Sequence, residues 1–519
     1  MSKELNLILS PEQASSNEAI QRAIAKQLNC SYTDIGHFII RRKSIDARRG
    51  KVQVNMGIKV FEQGEDFFDD APVFQYRDVR NSEPVIIVGA GPAGLFAALQ
   101  LMELGYKPVI VERGKEVSQR KRDIAMLNRE HKLNSDSNYA FGEGGAGTFS
   151  DGKLYTRAKK RGDFKRVLYA LYNHGASPEI LYEAHPHIGT NKLPRIIVRI
   201  RENILQHGGE IIFNARVIDI LVDSGKFSGV KLSDGAVLNA RACILATGHS
   251  ARDIYHILLK QNIKIEAKPF AMGVRVEHPQ PLIDSIQYHG IPRSSYLPAA
   301  SYSLVQQVEN RGVYSFCMCP GGFIVPAATE PGEVVVNGMS PSLRNSKWAN
   351  SGVVVEIRMD DLAQYSQFGE LAGLEFQHEL EKLARENGAY GVQAPAQRLV
   401  DFVDGRFSSS LPACSYIPGL NSSEMNLWLP SHIGKRLQEG FRAFGEKMKG
   451  FLTNEAVILG VESRTSSPIR VPRNPETLQH VEIQGLFPAG EGAGYAGGIV
   501  SSALDGAKCA EGVAAFLKS

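Results

Sequence analysis

PVIIVGAGPAG, residues 84–94, is the stretch on which the reading of the chain turns. Val85 to Val88 are four successive apolar residues, too few for a helix and suited to a parallel strand buried on both faces. Gly89, Gly91 and Gly94 follow with dinucleotide-turn spacing: the first for a tight turn, the second for close approach of backbone to a pyrophosphate, the third for packing of the next helix on the strand. That helix, Ala93 to Leu104, has no competing side chain at its first turn, so its free N–H groups and positive dipole end can face phosphate. A second strand, Pro108 to Val111, delivers Glu112 eighteen residues after Gly94, where an acid should accept from the ribose hydroxyls of an adenosine. The pattern reads as an adenosine diphosphate site.

The 519 residues allow two or three domains, and 43% apolar with 22% charged residues is ordinary for a globular protein. A net charge of +4 does not by itself imply a nucleic-acid partner. Six cysteines without regular spacing argue against a disulfide scaffold and fit a reducing compartment. MSKELNLILSPEQ carries no sustained apolar run, and no stretch of eighteen apolar residues occurs. The expectation is a cytoplasmic protein with no membrane partner.

Ahead of the turn, residues 1–80 form a small α+β module: strands at Glu4–Leu9, His37–Arg42 and Val52–Val60, and a helix at Asn17–Leu28 with Ile20, Ile24 and Leu28 on one face. Its basic run RRKSIDARRGK (41–51) is assigned to strand ends and contacts with the next domain rather than to nucleic acid. Asp66 to Asp70 reads as a linker. After Glu112, Lys115 to Asn134 reads as helical, and GEGGAGTFSDGK (142–153) has little side chain and can lie against a planar or anionic ligand. A helix at Pro194–Gln206 precedes a β-meander of Ile211–Phe213, Arg216–Val222, Gly229–Leu232 and Ala236–Leu238, turning at Ser224-Gly225 and Asp234-Gly235. A strand at Ala242–Leu245 then runs into Ala246-Thr247-Gly248. Residues 266–474 alternate strands with one strong helix, Leu371 to Glu386, and read as an inserted α+β substrate domain. Residues 475–519 return to the first domain: a strand ending at Gly490, Glu491, a glycine cluster, and a helix from Ile499 whose first N–H groups could face an electron-rich ring edge.

With these segments in hand, the chain resembles the bacterial FAD-dependent dehydrogenase family within the glutathione-reductase-like FAD/NAD(P)-binding superfamily. The likeness covers nearly the whole chain. It is carried by VIIVGAGPAG (85–94), GEGGAGTFSDGKL (142–154), HIGTNKL (187–193), ATGHSARD (246–253), CMCPGG (317–322), APAQRLVDF (394–402), VESRTSSPIR (461–470) and FPAGEGAGYAGGI (487–499). It implies an α/β fold: a Rossmann-like FAD-binding domain (81–265 and 475–519), the inserted domain and the N-terminal module. It further implies non-covalent FAD held by Gly89, Gly91, Ala93, Gly94, Glu112, Arg113, Gly145, Ala146, Thr148, Ser150, Asp151, Lys153, Val217, Ala246, Thr247, Gly248, Gly490, Glu491, Gly497, Gly498 and Ile499.

Candidate chemistry lies at Cys317 and Cys319, as a redox or nucleophilic pair, although a bridge between residues two apart is strained and free cysteine is often buried and inert. His187 is a third candidate, for which the resemblance implies a flavin-facing or structural role. His185 and His187 lack an accompanying ligand cluster, so no metal is expected. Arg464, Ser466 and Ser467 are read either as an anion site or as structural, with Arg464 pairing Glu462 or a distant acid; Lys153 and Arg157 carry the same two readings. GGFIVP (321–326) lacks the register of a second dinucleotide turn, which leaves NAD(P)H at most a transient place between the domains. The expected function is hydride transfer between flavin N5 and a small organic substrate. The alternatives are a flavin-dependent RNA-modifying enzyme gripping RNA with its N-terminal module, and a flavin-binding regulatory protein without turnover.

Overall fold

The computed structural model describes residues 3–48, 50–65, 71–155 and 162–519; the linker reading at Asp66 to Asp70 and Arg157 lie outside them. The N-terminal module is a three-stranded antiparallel sheet with the Gln53–Glu62 strand between Lys3–Leu9 and Ile35–Asp46. Alternate residues Val54, Met56, Ile58 and Val60 are buried against Ile20 and Ile24 of the Asn17–Leu28 helix, whose N-terminus is capped by Ser16. The basic run makes contacts with the rest of the chain. The Lys43 N–H donates to Tyr182 O at 2.8 Å and Lys43 O accepts from Ala184 N–H at 2.9 Å, while Ala47 and Val52 pack on the core of the inserted domain.

The nucleotide-binding sheet has five parallel strands in the order Leu486–Pro488, Cys243–Leu245, Pro84–Val88, Lys107–Val111 and Glu210–Ile212. Val85 to Val88 are buried, as a strand covered on both faces requires. The edge strand corrects the sequence reading, which joins Ile211–Phe213 to the meander. Three residues are too few for alternation to declare a partner, and the chain turns away at Asn214 in a left-handed conformation (φ 55°). The meander proper has three strands, Val217–Asp223, Lys226–Leu232 and Val237–Asn239. Its first turn places Ser224 (φ 51°) and Gly225 (φ 77°) in the left-handed region that a two-residue hairpin demands. The Ile499–Lys518 helix packs on Pro92–Leu104, and a Cβ on Gly506 would overlap the backbone of Ala93.

The inserted domain is a seven-stranded sheet whose centre is formed by Arg311–Cys319, Trp348–Ile357, Phe270–Pro279 and Val457–Glu462. The helix read at Leu371–Glu386 spans Ala372–Asn387, but it is not alone: Ser431–Lys447 is longer, at 17 residues. Its buried face (Ile433, Leu437, Phe441, Phe444) has helical spacing, interrupted in the sequence by glycines at 434, 440 and 445. A Cβ on Gly440 would come within 2.6 Å of Val313 Cγ1, so this glycine lets the helix lie directly on the sheet. The chain enters and leaves the inserted domain through adjoining strands, Glu266–Ala267 paired with Ile469–Arg470. Among the described residues no helix is long and apolar enough to cross a membrane.

Candidate active site

Two helix N-termini and three glycine-rich turns converge at the carboxyl ends of the parallel strands, where open α/β sheets bind ligands. The Pro92–Leu104 helix begins at Gly91 with no side-chain cap, and the Ile499–Lys518 helix begins at Gly498, also uncapped. Both therefore keep unpaired N–H groups and the positive end of a dipole. A Cβ on Gly94 would overlap Gly89 O, which fixes the turn, whereas Cβ atoms built on Gly91, Gly248, Gly497 and Gly498 would meet nothing within 4 Å. The latter four line open space. Gly145, in the glycine-rich loop, would bring a Cβ to 3.1 Å from Gly91 Cα, so this loop lies directly over the first turn, with Ala146 exposed at its tip. Gly490 faces Ala93 across the floor, where its Cβ would lie 2.9 Å from that of Ala93. Ile499 opens the last helix beside Gly147.

Several assigned side chains are engaged within the protein. The buried Glu112 carboxylate accepts from the N–H groups of Ala90, Gly114 and Gly142, each at 2.9 Å. It binds the turn and the glycine-rich loop together, and with about four acceptor positions it retains one for a hydroxyl. Arg113, assigned to the cofactor, is spent elsewhere: it pairs with Asp136 at 2.7 Å and Asp253 at 3.0 Å and stacks over Phe141 at 4.2 Å. Val217 points into the meander core, and the Thr148 hydroxyl turns inward to Glu143 O at 2.8 Å. Ser150 bonds Gly147 O at 2.7 Å. These side chains shape the loops, which leaves their backbone as the ligand-facing part. Ala246 follows the Cys243–Leu245 strand, its N–H bonded to Val88 O at 2.9 Å; Thr247 comes next, and a Cβ on Gly492 would overlap the Thr247 carbonyl.

Glu491 stands at the mouth of the last turn, 28% exposed, with its carboxyl pushed up to about 7 by burial. The His249 Nδ1 lies 4.0 Å from Glu491 Oε1 and has no hydrogen-bond partner, and burial, then Arg464, pushes the imidazole down to about 4. A neutral histidine with an orphaned ring nitrogen, a carboxyl and uncapped helix ends suit a ring and ribityl chain rich in hydrogen-bonding groups. The donor set fits a flavin dinucleotide.

Across the mouth lies a charge cluster built by both large domains. Lys153, paired in a short bridge with His187, reaches Asp151 at 3.7 Å, Cys317 Sγ at 3.6 Å and Cys319 Sγ at 3.7 Å. Asp151 also takes Arg344 at 2.7 Å. Burial alone would depress the lysine; the two thiols and Asp151 instead raise its pKa and hold it protonated. His187 contacts Ser342 O through Nε2 at 3.0 Å and is depressed by burial; it positions Lys153 through the bridge. Fully buried Arg275 bonds Glu462 at 2.8 Å, Asn350 Oδ1 at 2.8 Å and Cys317 O at 2.9 Å. The sequence reading omits Arg275 and considers Glu462 only as a partner of Arg464, yet charged residues inside the runs FAMGVRV and VILGVE are a visible signal.

Burial pushes Glu462 up to about 7 from its usual 4.5, against the pull of Arg275. The folded protein then holds a proton that the unfolded chain releases, so stability falls as pH rises between those values. Relative to Glu462→Gln, the wild type is expected to lose up to about 3 kcal/mol across this window. Urea midpoints of both proteins at several pH values check this, and parallel profiles would refute it.

Arg464 pairs not with Glu462 but with Glu381 and Glu333, each at 2.9 Å, and both acids also take Arg252. Ser467 bonds the backbone N–H of Ile469 at 3.1 Å, a structural role. His378, Glu333 and Glu330 come together, but the arginines on Glu333 make the group an ion-pair lock between domains. His185 packs on Tyr155 at 5.1 Å between ring centres.

A Rossmann-type sheet with this glycine-lined floor and an inserted domain over it defines a flavin-dependent oxidoreductase-type protein. Family comparison agrees: residues 83–265 match the pyridine nucleotide-disulphide oxidoreductase family, residues 269–465 the FAD-dependent protein, C-terminal domain-like family, and residues 1–61 a domain of unknown function. A Clostridium beijerinckii protein is 41% identical over 513 residues, covering 95% of each chain. The chain belongs to the same family as that protein, a family of FAD-dependent oxidoreductases, and its cofactor is FAD. More distantly, the tRNA uridine 5-carboxymethylaminomethyl modification enzyme MnmG of Caldicellulosiruptor saccharolyticus is 28% identical over 32% of this chain and 24% of its own. Among solved structures, a geranylgeranyl bacteriochlorophyll reductase-like protein from Thermoplasma acidophilum aligns over 84% of this chain and 80% of its own, with 12% identity and a TM-score of 0.36.

Proposed function

We propose that the protein transfers hydride between flavin N5 and a small organic molecule bound between the nucleotide-binding and inserted domains. The observation that carries this reading is the pair of uncapped helix N-termini, at Gly91 and Gly498, on one glycine-lined floor whose open space the inserted domain faces. FAD supplies the two-electron chemistry. The first helix end and the Gly89–Gly94 turn would hold its pyrophosphate, Glu112 a ribose hydroxyl, and Glu491 the ribityl chain. The second helix end would stabilise negative charge gathered at the ring edge. The inserted domain excludes water from the reacting face, and Lys153, protonated and close to the mouth, favours an anionic or carbonyl-bearing substrate. Nicotinamide has no turn of its own and would enter the same cleft transiently as electron donor.

The purified protein is expected to carry a flavin absorption band that bleaches under anaerobic addition of NADH, NADPH or a reducing metabolite from a screen. A preparation that takes up no FAD, or a band that none of these bleaches, refutes the proposal.

A further inference from the structure

The Arg311–Cys319 strand loses register with Trp348–Ile357 between Phe316 and Cys319, and in this bulge Cys317 adopts a left-handed backbone, φ 48°. Such a conformation is rare outside glycine and calls for an explanation at the site where it occurs. In a regular strand the two cysteine side chains would point the same way about 6.6 Å apart, an unfavourable start for a bridge. Here the bulge reorients Cys317, and Cys319 Sγ folds back to Cys317 O at 3.2 Å. Both sulfurs converge on one ammonium, that of Lys153, and Arg275 Nη2 lies 3.6 Å from Cys319 Sγ. The two differ in access: Cys317 is half-buried, whereas Cys319 is enclosed.

We infer that Cys317 and Cys319 are a redox pair that exchanges two electrons with FAD, Cys317 as thiolate and Cys319 as thiol. The inference rests on the cofactor site proposed above. The hydrogen bond with Cys319, then Lys153 and Arg275, hold the Cys317 thiol well below its ordinary range despite burial, while the same contact and burial raise Cys319. The pair is also joined to the flavin motif, for Lys153, on which both sulfurs converge, ends the glycine-rich loop whose Gly145 lies against Gly91 of the first turn. In the step, the Cys317 thiolate and the Cys319 thiol become one Sγ–Sγ bond. The Cys319 proton and the electron pair pass to oxidised FAD, which becomes its anionic two-electron-reduced form. Charge and protons balance, and the reverse step regenerates the dithiol.

Anaerobic dithionite titration of the holoprotein tests this, combined with N-ethylmaleimide quenching and peptide mass mapping. The air-oxidised wild type is expected to take up four electrons per FAD, and Cys317→Ser and Cys319→Ser two. The peptide holding both cysteines should lack two hydrogens and resist maleimide before reduction, and take two labels after it. Uptake of two electrons by the wild type, with both thiols labelled in the air-oxidised protein, overturns the inference. Mapping reports on the thiols whether or not flavin is bound, and the visible spectrum reports on flavin alone, so failure of the pair and failure of the cofactor site are separable. In reduced protein, Lys153→Met should slow iodoacetamide labelling of Cys317 at neutral pH by about tenfold; an unchanged rate overturns the thiolate assignment.

Discussion

Gly91→Leu is expected to yield a folded protein that has lost FAD. The glycine opens the Pro92–Leu104 helix, and a Cβ placed there touches nothing within 4 Å, so the substitution leaves the strand, turn and helix packing as they are. A leucine side chain would occupy the approach to the free N–H groups and keep a pyrophosphate away from them. Weakening by at least a hundredfold, about 2.7 kcal/mol, is the expectation. The ratio of flavin to protein absorbance after dialysis measures it, with circular dichroism to show that the fold persists. Stoichiometric FAD in a folded Gly91→Leu would refute the assignment of this turn. Gly94→Leu is the contrasting variant: its Cβ would overlap Gly89 O, and the whole domain should destabilise.

Arg275→Ala is expected to have the largest effect on stability. The guanidinium is fully buried and serves a carboxylate, a side-chain amide and a backbone carbonyl at once. Removing it strands Glu462 without its cation in a strand buried along its length, and breaking a buried pair in this way is worth about 3–5 kcal/mol. Thermal melts at pH 9, where Glu462 beside Arg275 is ionised, measure the loss. The double variant Arg275→Ala, Glu462→Gln should recover part of it, because the remaining partner is then uncharged. Equal melting of wild type and Arg275→Ala would mean that the pair is dispensable.

Local signals made the nucleotide-binding half readable. Four apolar residues, three glycines in register and an acid at the end of the next strand each act within about thirty residues, and local steric demands dictate residue type there. The same holds for Asn17–Leu28, which the spacing of Ile20, Ile24 and Leu28 announces and which the structure shows capped by Ser16. What escaped was non-local or masked. Glu210–Ile212 chooses its sheet by docking beside Val109–Val111, a partner a hundred residues away that a three-residue run cannot announce. Ser431–Lys447 carries three glycines that lower helical propensity, one of which, Gly440, is needed for close contact with Val313. Arg113 stands where a cofactor ligand would, and only the fold brings Asp136 and Asp253 around it. In the same way CMCPGG displays two sulfurs, whereas the ammonium between them comes from a position 164 residues earlier than Cys317.

That separation has a consequence for the working molecule. Lys153 belongs to the nucleotide-binding domain and Cys317 to the inserted one, whose chain enters and leaves through two short paired strands and which is otherwise held by contacts such as the Arg252 ion pairs. If the two bodies part, the sulfur loses the Lys153 ammonium but keeps Cys319 and Arg275, which belong to its own domain, so its thiolate is weakened rather than abolished. The reactivity of the sulfur is thereby tuned by assembly, for the docked nucleotide-binding domain adds a second cation to the one, Arg275, that the inserted domain supplies.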